Sequence, residues 1–529
     1  MSHFSLFILL SSLIIFSACS SKNIPLENKK ISMTKLPKGE IPLQKYLNKT
    51  DKVLVGHSAF HSLEHPIDAL AARLFIIDHA KSSLDVQYYI YEDDNIGKLF
   101  TAHLLLAAKR GVRVRLLLDD LSTAGKDENL QKLALHPNVE LRLFNPNKLR
   151  TSFRNLALLF NVNSLGKRMH NKSLIADGYA AIIGGRNIGD VYFAATDETL
   201  FLDYDVLSIG AVVPDISQAF DIYWNSEQAV PSSEVFGVSK YTYEDISEEL
   251  SLHLKQKLKV FQKSPFGIAV SRSNFMKKVN HRKLQFIVSE KVDFYYDDPS
   301  KVAKDENDNS THISSQIRKD LTKLKSELTI VSPYFIPSDE MMKRIKTLRK
   351  KDVEVTILTN SLSSTDVFPV YAAYQDYIEV LVKMGVHLHE LKANSFSKEL
   401  QDKHFKKTPR LSLHTKMILL DQNRLAIGSA NIDPRSDKLN TELFMVITSE
   451  KLTKEEQNII AKVLSLDNTY KLSWGTHPKI FDDDVQQNGP VWTTLEEGKK
   501  TIYYERPKTG FWKRLGTDFI SIFPIKGYL

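Results

Sequence analysis

Two stretches decide the fold. The first is His170-Asn171-Lys172-Ser173-Leu174-Ile175-Ala176-Asp177, running on to Gly184-Gly185-Arg186-Asn187. The second is His414-Thr415-Lys416-Met417-Ile418-Leu419-Leu420-Asp421, running on to Gly428-Ser429-Ala430-Asn431. In both, four residues separate the Lys from the Asp and six separate the Asp from the Gly. One such pattern is open to coincidence, but two with the same internal spacing imply a duplicated unit. A His and a Lys two apart share one face of an extended segment, while the residue between them points away. Asp177-Gly178 favours a tight turn, after which the chain returns through residues 179–183. Gly184-Gly185 then lets the backbone approach a ligand closely. The predicted hairpin carries Asn187 back towards His170 and Lys172. The second copy turns at Asp421-Gln422-Asn423 and returns through residues 425–427.

Outward from each motif the same order of elements precedes it. Residues 84–90 read as a strand and 99–109 as a helix stopped at Gly111, with a second strand at 112–118. In the other half, 328–335 read as a strand, 340–350 as a helix and 353–358 as a strand. This alternation predicts an α/β fold made of duplicated domains, each a mixed β-sheet flanked by helices. A chain of 529 residues is too long for one ordinary domain. The expected division is 46–250 for the first domain and 251–490 for the second, with 491–529 as a C-terminal tail. The charged, Asn-rich residues 301–310 read as a surface loop.

The residue types define a chemistry. An imidazole can attack phosphorus and form a covalent phosphoryl intermediate. A second imidazole can protonate the leaving alcohol and then deprotonate the incoming one. Lys172 and Lys416 supply positive charge to the phosphate oxygens, and Asn187 and Asn431 can donate amide hydrogens to the same group. Neither a metal ion nor a cofactor is required. A His in either role is commonly oriented by a carboxylate on its other ring nitrogen. The candidates are Asp205, 35 residues after His170, and Glu442, 28 residues after His414. Asp177 and Asp421 complete the two motifs, and bracing the hairpin or the Lys suits them better than touching substrate.

At these residues the chain resembles the phospholipase D superfamily, whose signature is this duplicated His-x-Lys-x4-Asp motif. The likeness runs from about residue 50 to the C-terminus. Residues 184–190 (GGRNIGD), Ser332-Pro333-Tyr334-Phe335, Thr359-Asn360-Ser361-Leu362, Asp433-Pro434-Arg435-Ser436 and the closing residues 523–529 (FPIKGYL) resemble bacterial cardiolipin synthases, the C-type branch above all. Tyr371 stands where the family often has His. The resemblance implies that the two halves fold together, that their motifs meet at one active site, and that one His is the nucleophile and the other the general acid and base. His170 is the favoured nucleophile by analogy. The resemblance also implies a phosphatidyl group moved from a donor phospholipid to phosphatidylglycerol, the donor being phosphatidylglycerol or phosphatidylethanolamine. With water as acceptor the same site is a phospholipase D hydrolase releasing phosphatidic acid. The superfamily also contains nucleases.

The net charge of +8 suits a polyanionic partner, and composition alone does not choose between nucleic acid and a membrane rich in anionic lipid. The lipid-enzyme sequence blocks and the leader favour phospholipids and a membrane surface over nucleic acid. Residues 4–16 form an uncharged apolar run too short to span a bilayer comfortably. The run ends in Phe16-Ser17-Ala18-Cys19, and Cys19 is the single cysteine of the chain. Small residues before a lone cysteine resemble a lipoprotein signal over residues 1–18, cleaved before Cys19 and lipidated on it. An uncleaved anchor and an ordinary secretory signal are the alternatives. Residues 19–45 read as a tether, and the expected location is a membrane-anchored body facing the periplasm or cell exterior, the outer membrane favoured by Ser20. The tail residues 510–523 mix aromatics with Lys and Arg, which suits an interfacial segment or a tail packed on the core. The basic stretch 403–410 reads as a solvated loop that can also draw in anionic lipid.

Overall fold

A computed structural model describes residues 29–47, 56–147, 166–306, 308, 312–396, 407–478 and 488–522. The leader with Cys19, residues 403–406 of the basic stretch at 403–410, and residues 523–529 lie outside the described residues.

The strands are β1 (Ser58–Leu63), β2 (Ser83–Tyr88), β3 (Arg113–Asp119), β4 (Val139–Phe144), β5 (Ser173–Ala176), β6 (Ala180–Gly184), β7 (Thr199–Leu202), β8 (Asp205–Gly210), β9 (Ala229–Pro231) and β10 (Ile287–Ser289). The second half continues with β11 (Lys291–Tyr296), β12 (Glu327–Val331), β13 (Glu354–Asn360), β14 (His387–Leu391), β15 (Arg410–Leu413), β16 (Met417–Leu420), β17 (Arg424–Gly428) and β18 (Leu443–Thr448). It closes with β19 (Thr469–Thr476), β20 (Asn488–Glu496) and β21 (Lys499–Tyr503). The first sheet has the order β10-β1-β8-β6-β5-β2-β3-β4-β9 and the second the order β11-β18-β17-β16-β12-β13-β14-β19-β20-β21. Strands β1-β8-β6-β5-β2-β3-β4-β9 therefore match β11-β18-β17-β16-β12-β13-β14-β19 position for position. In each, three parallel strands carry the βαβ units and an antiparallel strand joins them to the motif hairpin.

Period two sorts the side chains of each sheet. Along β5 and β6, Leu174, Ala176 and Ile182 face an outer core with helices Pro66–His79 and Asn95–Lys109. Their neighbours Ile175, Ala181 and Ile183 face inwards, into a core shared with Met417, Leu419, Leu425 and Ile427 of the second half. Helices Val212–Asn225 and Glu450–Val463, which follow β8 and β18, contribute Phe220, Trp224, Leu452 and Ile460 to the same shared core. The halves are thus joined through apolar surface that neither could bury alone.

Three expected boundaries move. Helices Tyr243–Lys263, Pro265–Ser271 and Asn274–Asn280 fall after residue 250, yet pack on the first half, and β10 pairs with β1. The chain crosses to the second sheet at Glu290, between Ser289 and Lys291. At the C-terminus β20 and β21 extend the second sheet, so residues from 491 onwards are not a separate tail. Residues 29–47 are not a free tether either. Thr34 hydrogen bonds to Asp85 and Asp221, and these two carboxylates hold the buried Arg115 guanidinium at 2.6 Å each. Leu43 and Leu47 are buried. A solvated segment could not cap a buried charge cluster, so its polar groups had to dock.

Candidate active site

Each motif hairpin is pinned at both ends. At the turn, Asp177 and Gly178 both adopt positive φ, as the tight-turn pair requires. The Asp177 carboxylate accepts the backbone amides of Lys81, Ser82 and Ser83, which lead into β2. Asp421 does the same for Lys325, Ser326 and Glu327 before β12. Both aspartates thus lie at the far end of the hairpin strand from the histidines, five positions beyond the lysines. They brace structure and touch no His or Lys of the motifs.

At the other end, the run-in to β5 and to β16 holds the histidines. The last residue of β3, Asp119, accepts the amide of Met169, just before His170. The last residue of β13, Asn360, grips Leu413, just before His414, accepting from its amide and donating to its carbonyl. The histidine backbones pair with the opposite half. The His170 amide donates to the Thr441 carbonyl, and the His414 amide to the Leu202 carbonyl. Strand β15 lies parallel to β7, so the second motif is threaded against the first half.

The side chains cross in the same way. His170 Nδ1 lies 3.0 Å from both carboxylate oxygens of Glu442. His414 Nδ1 lies 2.6 Å from Oδ2 of Asp203. Each imidazole is therefore oriented by an acid of the other half, and each Nε2 has no protein hydrogen-bond partner among the described residues. Aromatic rings wall the imidazoles: Tyr89 meets His170 edge-on at 4.9 Å, while Tyr192 and Phe201 flank His414 at 5.2 and 5.1 Å. Both lysines are buried. Lys172 Nζ donates to the His170 carbonyl and sits 5.3 Å from the Tyr89 ring, and Lys416 Nζ donates to the His414 carbonyl.

Asp205 does not take the orienting role expected of it. It lies in β8, where it pairs with Arg73 and Arg186, both at 2.9 Å and fully buried. Asp203, two residues earlier, is the counterpart of Glu442. Gly184 faces Asp205 across β6–β8, and Gly428 faces Phe444 across β17–β18, so Asp203 and Glu442 fall in register. The Gly185/Ser429 difference between the copies has its reason here. A Cβ on Gly185 would stand 2.1 Å from an oxygen of Asp203, whereas the Ser429 hydroxyl donates to Glu442. Asn187 is partly occupied. Its amide nitrogen donates one hydrogen to Tyr192 Oη and its oxygen accepts from the Ile90 amide, so it steadies a ring against His414 and keeps one amide hydrogen uncommitted among the described residues. Asn431 is different: its Oδ1 is buried without a partner, beside a cavity of about 470 Å³ that Asp433 and Ser436 also line.

Burial, then the charges of Lys172 and Lys416, holds His170 well below its ordinary pKa. His414 is lowered by burial and Lys416, but Asp203 opposes the shift. Burial pushes Asp203 up, yet His414, Lys416 and Arg186 outweigh it and hold it below the usual carboxylate range. Glu442 is raised by burial against the pull of Lys172 and Ser429. Burial lowers both lysines, against the opposing charges of Glu442 and Asp203. The two centres are thus unlike: a strongly neutral imidazole at His170, and an imidazole beside a firmly ionised acid at His414.

The comparisons with known proteins agree with this architecture. The family model described as "Cardiolipin synthase, PLD-like domain" matches residues 74–224 and 317–464, one segment in each half. Cardiolipin synthase C of Escherichia coli K12 is 37% identical over 486 residues, covering 90% of this chain and 97% of that protein. An uncharacterized protein of Helicobacter pylori 26695 is 34% identical over 479 residues, covering 88% of this chain and 89% of the other. Among solved structures, the phosphatidylserine synthase of Haemophilus influenzae Rd KW20 shares the fold with a TM-score of 0.52 at 13% identity, over 80% of this chain and 91% of that one. The duplicated motifs, the matched sheets and these likenesses together show that the chain belongs to the cardiolipin synthase family of phospholipase D-like proteins.

Proposed function

We propose that the chain is a phosphatidyltransferase of the cardiolipin synthase type, working through a phosphohistidine. The observation that carries this reading is the crossed pair of His–carboxylate contacts, which leaves two Nε2 atoms for one phosphate. His170, held neutral, attacks the phosphorus of a donor phospholipid, and the bond from phosphorus to the headgroup oxygen breaks. His414, protonated on Nε2 and steadied by Asp203, gives that oxygen its proton and the headgroup alcohol leaves. A primary hydroxyl of phosphatidylglycerol then loses its proton to His414 as its oxygen attacks phosphorus. The phosphorus–nitrogen bond breaks, restoring His170 and releasing cardiolipin. Lys172 and Lys416 offset the phosphate charge, and the Asn187 and Asn431 amides each have a hydrogen to donate to the same group. Donor phosphatidylglycerol would release glycerol, and donor phosphatidylethanolamine would release ethanolamine.

The reading includes a membrane surface. Among the described residues no helix is long and apolar enough to cross a membrane. Helix Phe511–Ser521 exposes Phe511, Trp512 and Phe519, with Trp512 at 79% exposure, and Ile522 follows at 77%. It packs on helix Phe368–Tyr374, and its Lys513 lies near Arg410, whose guanidinium holds the carbonyls of Ser363 and Ser364 beside β15. These features support an interfacial helix close to the site. We further assign the lipid anchor to Cys19, with the body outside the cytoplasm and the outer membrane favoured. Since the segment from residue 29 is docked, residues 19–28 would span at most about 35 Å, a short leash.

The test is mass spectrometry of lipids after incubating the protein with phosphatidylglycerol, with and without phosphatidylethanolamine. Cardiolipin as main product, abolished in His170→Ala and His414→Ala, is the expected result. Phosphatidic acid alone would make the enzyme a hydrolase. No lipid product, together with nicking of DNA, would replace the reading by a nuclease. For the surface, Trp512→Glu with Phe519→Glu should weaken sedimentation with anionic vesicles; unchanged binding would remove the helix from the interface.

A further inference from the structure

A cavity of about 370 Å³ between the two halves has no part in the transfer described above. Most of its wall is apolar, with Leu200, Val331, Leu358, Met417, Ile460 and Val463 among the residues that build it. Asp203 and Thr415 also line it. Thr415 stands between His414 and Lys416 and points away from them, so the cavity reaches the His414 loop from behind.

Among the polar groups of this wall, Glu456 stands out. Glu456 lines the cavity and is 1% exposed. Its Oε1 accepts from Ser62 Oγ and Tyr204 Oη, each at 2.7 Å, while its Oε2 is buried with no hydrogen-bond partner. Native proteins rarely leave a buried polar atom unsatisfied, and an orphaned carboxyl oxygen on an apolar cavity points to a ligand atom that completes it. Burial raises this carboxyl to about 7, against the pull of Tyr204 and Ser62, so it carries a donor proton up to near-neutral pH. Glu64 lines the same cavity and disfavours an anionic guest.

We propose that this cavity binds one fatty acyl chain of a glycerolipid, with the ester carbonyl accepting a hydrogen bond from Glu456 and the alkyl chain lying along the apolar wall between the halves. The volume lies near the lower end of the ~300–1,000 Å³ range of small-ligand pockets, which suits one chain rather than two. A neutral ester fits beside Glu64, which would repel the carboxylate of a free fatty acid. The assignment deepens the phospholipid reading above, but binding needs no turnover, so the two can fail separately.

The experiment is photo-crosslinking of the purified full-length protein, and of its His170→Ala variant, followed by peptide mass spectrometry. One probe is phosphatidylglycerol carrying a diazirine in one acyl chain; the other is the free diazirine fatty acid. The phosphatidylglycerol probe should label the peptides holding Leu200 or residues 459–463 in both proteins. Labelling should fall about tenfold in Glu456→Met, the loss expected of one buried hydrogen bond, and persist in Glu456→Gln, which can place an N–H where Oε2 stands. It should also fall in Ile460→Trp, which fills the space; should that variant not fold, the Met and Gln pair still decides. Labelling confined to helix Phe511–Ser521, or equal in Glu456→Met and the parent, would overturn the proposal. Labelling of these peptides by the free fatty acid alone would overturn the ester assignment. If the parent made no cardiolipin yet its cavity were labelled, the transferase reading would fall and the binding site would stand.

Discussion

Asp203 and Asp205 stand two residues apart and are both buried, yet their partners give them opposite duties. Asp203 faces His414, and its charge favours the imidazolium. Asp203→Asn should therefore lower turnover by roughly 10²–10⁴-fold, in line with removing the acid that orients a catalytic imidazole. It should also shift the limb of the pH–rate profile that needs protonated His414 towards lower pH, because the group that raised its pKa is gone. Asp205 neutralises Arg73 and Arg186. Asp205→Asn should cost about 3–5 kcal/mol of stability by stranding buried charge, without that shift of the pH limb in whatever folded protein remains. Thermal melting and pH–rate profiles of the two variants separate these roles; similar profiles for both would return Asp205 to the site.

At the scale of elements, the motif aspartates tie hairpin to hairpin and not side chain to substrate. The buried Asp177 carboxylate accepts three backbone amides, whereas Asp421 is partly exposed and its turn more open to solvent. Asp177→Ala should destabilise by about 3 kcal/mol, and Asp421→Ala by less. Activity per folded molecule should hold, measured as turnover normalised to the folded fraction. The edge of the second sheet offers a pH test. Glu390 of β14 is buried, accepts from Trp492 of β20 at 3.0 Å and from Tyr371 at 3.2 Å, and is raised by burial to about 7. Tyr371, at a position where the family often has His, is thus spent on the core. A carboxyl raised when folded favours the native state below its unfolded value of 4.5, and that contribution disappears as pH rises through about 7. Glu390→Gln should therefore melt above the parent at pH 8, by the equivalent of up to about 3 kcal/mol, and lose that advantage at pH 5. Melting curves at the two pH values check the sign.

At the scale of the whole molecule, each half holds one imidazole and the carboxylate for the other's. Residues 29–289 and 291–522 expressed separately should each be inactive, for want of the partner acid and because Ile183, Met417 and their neighbours would face water. Expressed together with the chain cut at Glu290, an exposed crossover residue, they should reassemble and regain turnover. Lipid conversion by each preparation is the measurement; activity from one half alone would contradict a shared site.

Much of this was legible in the residues. The doubled spacing of His170, Lys172 and Asp177 with His414, Lys416 and Asp421 announces two like units, because local periodicity, turn residues and glycine placement act within a few residues of each other. The hairpin turn at Asp177-Gly178 and the helix stop at Gly111 are local in the same sense. Asp203 was hidden because the connection from Asn187 to it is five residues longer than that from Asn431 to Glu442, which blurs their equivalence. The parts played by Asp119, Asn360, Tyr89 and Tyr192 depend on which strand end lies beside which loop. The sequence by itself determined the duplication, the mixed sheets and the chemistry of the imidazole pair. Only the tertiary structure decided that each acid serves the opposite half's imidazole, that the helices after residue 250 belong to the first sheet and that residues 29–47 are docked, since those contacts join groups tens to hundreds of residues apart that nothing but packing brings together.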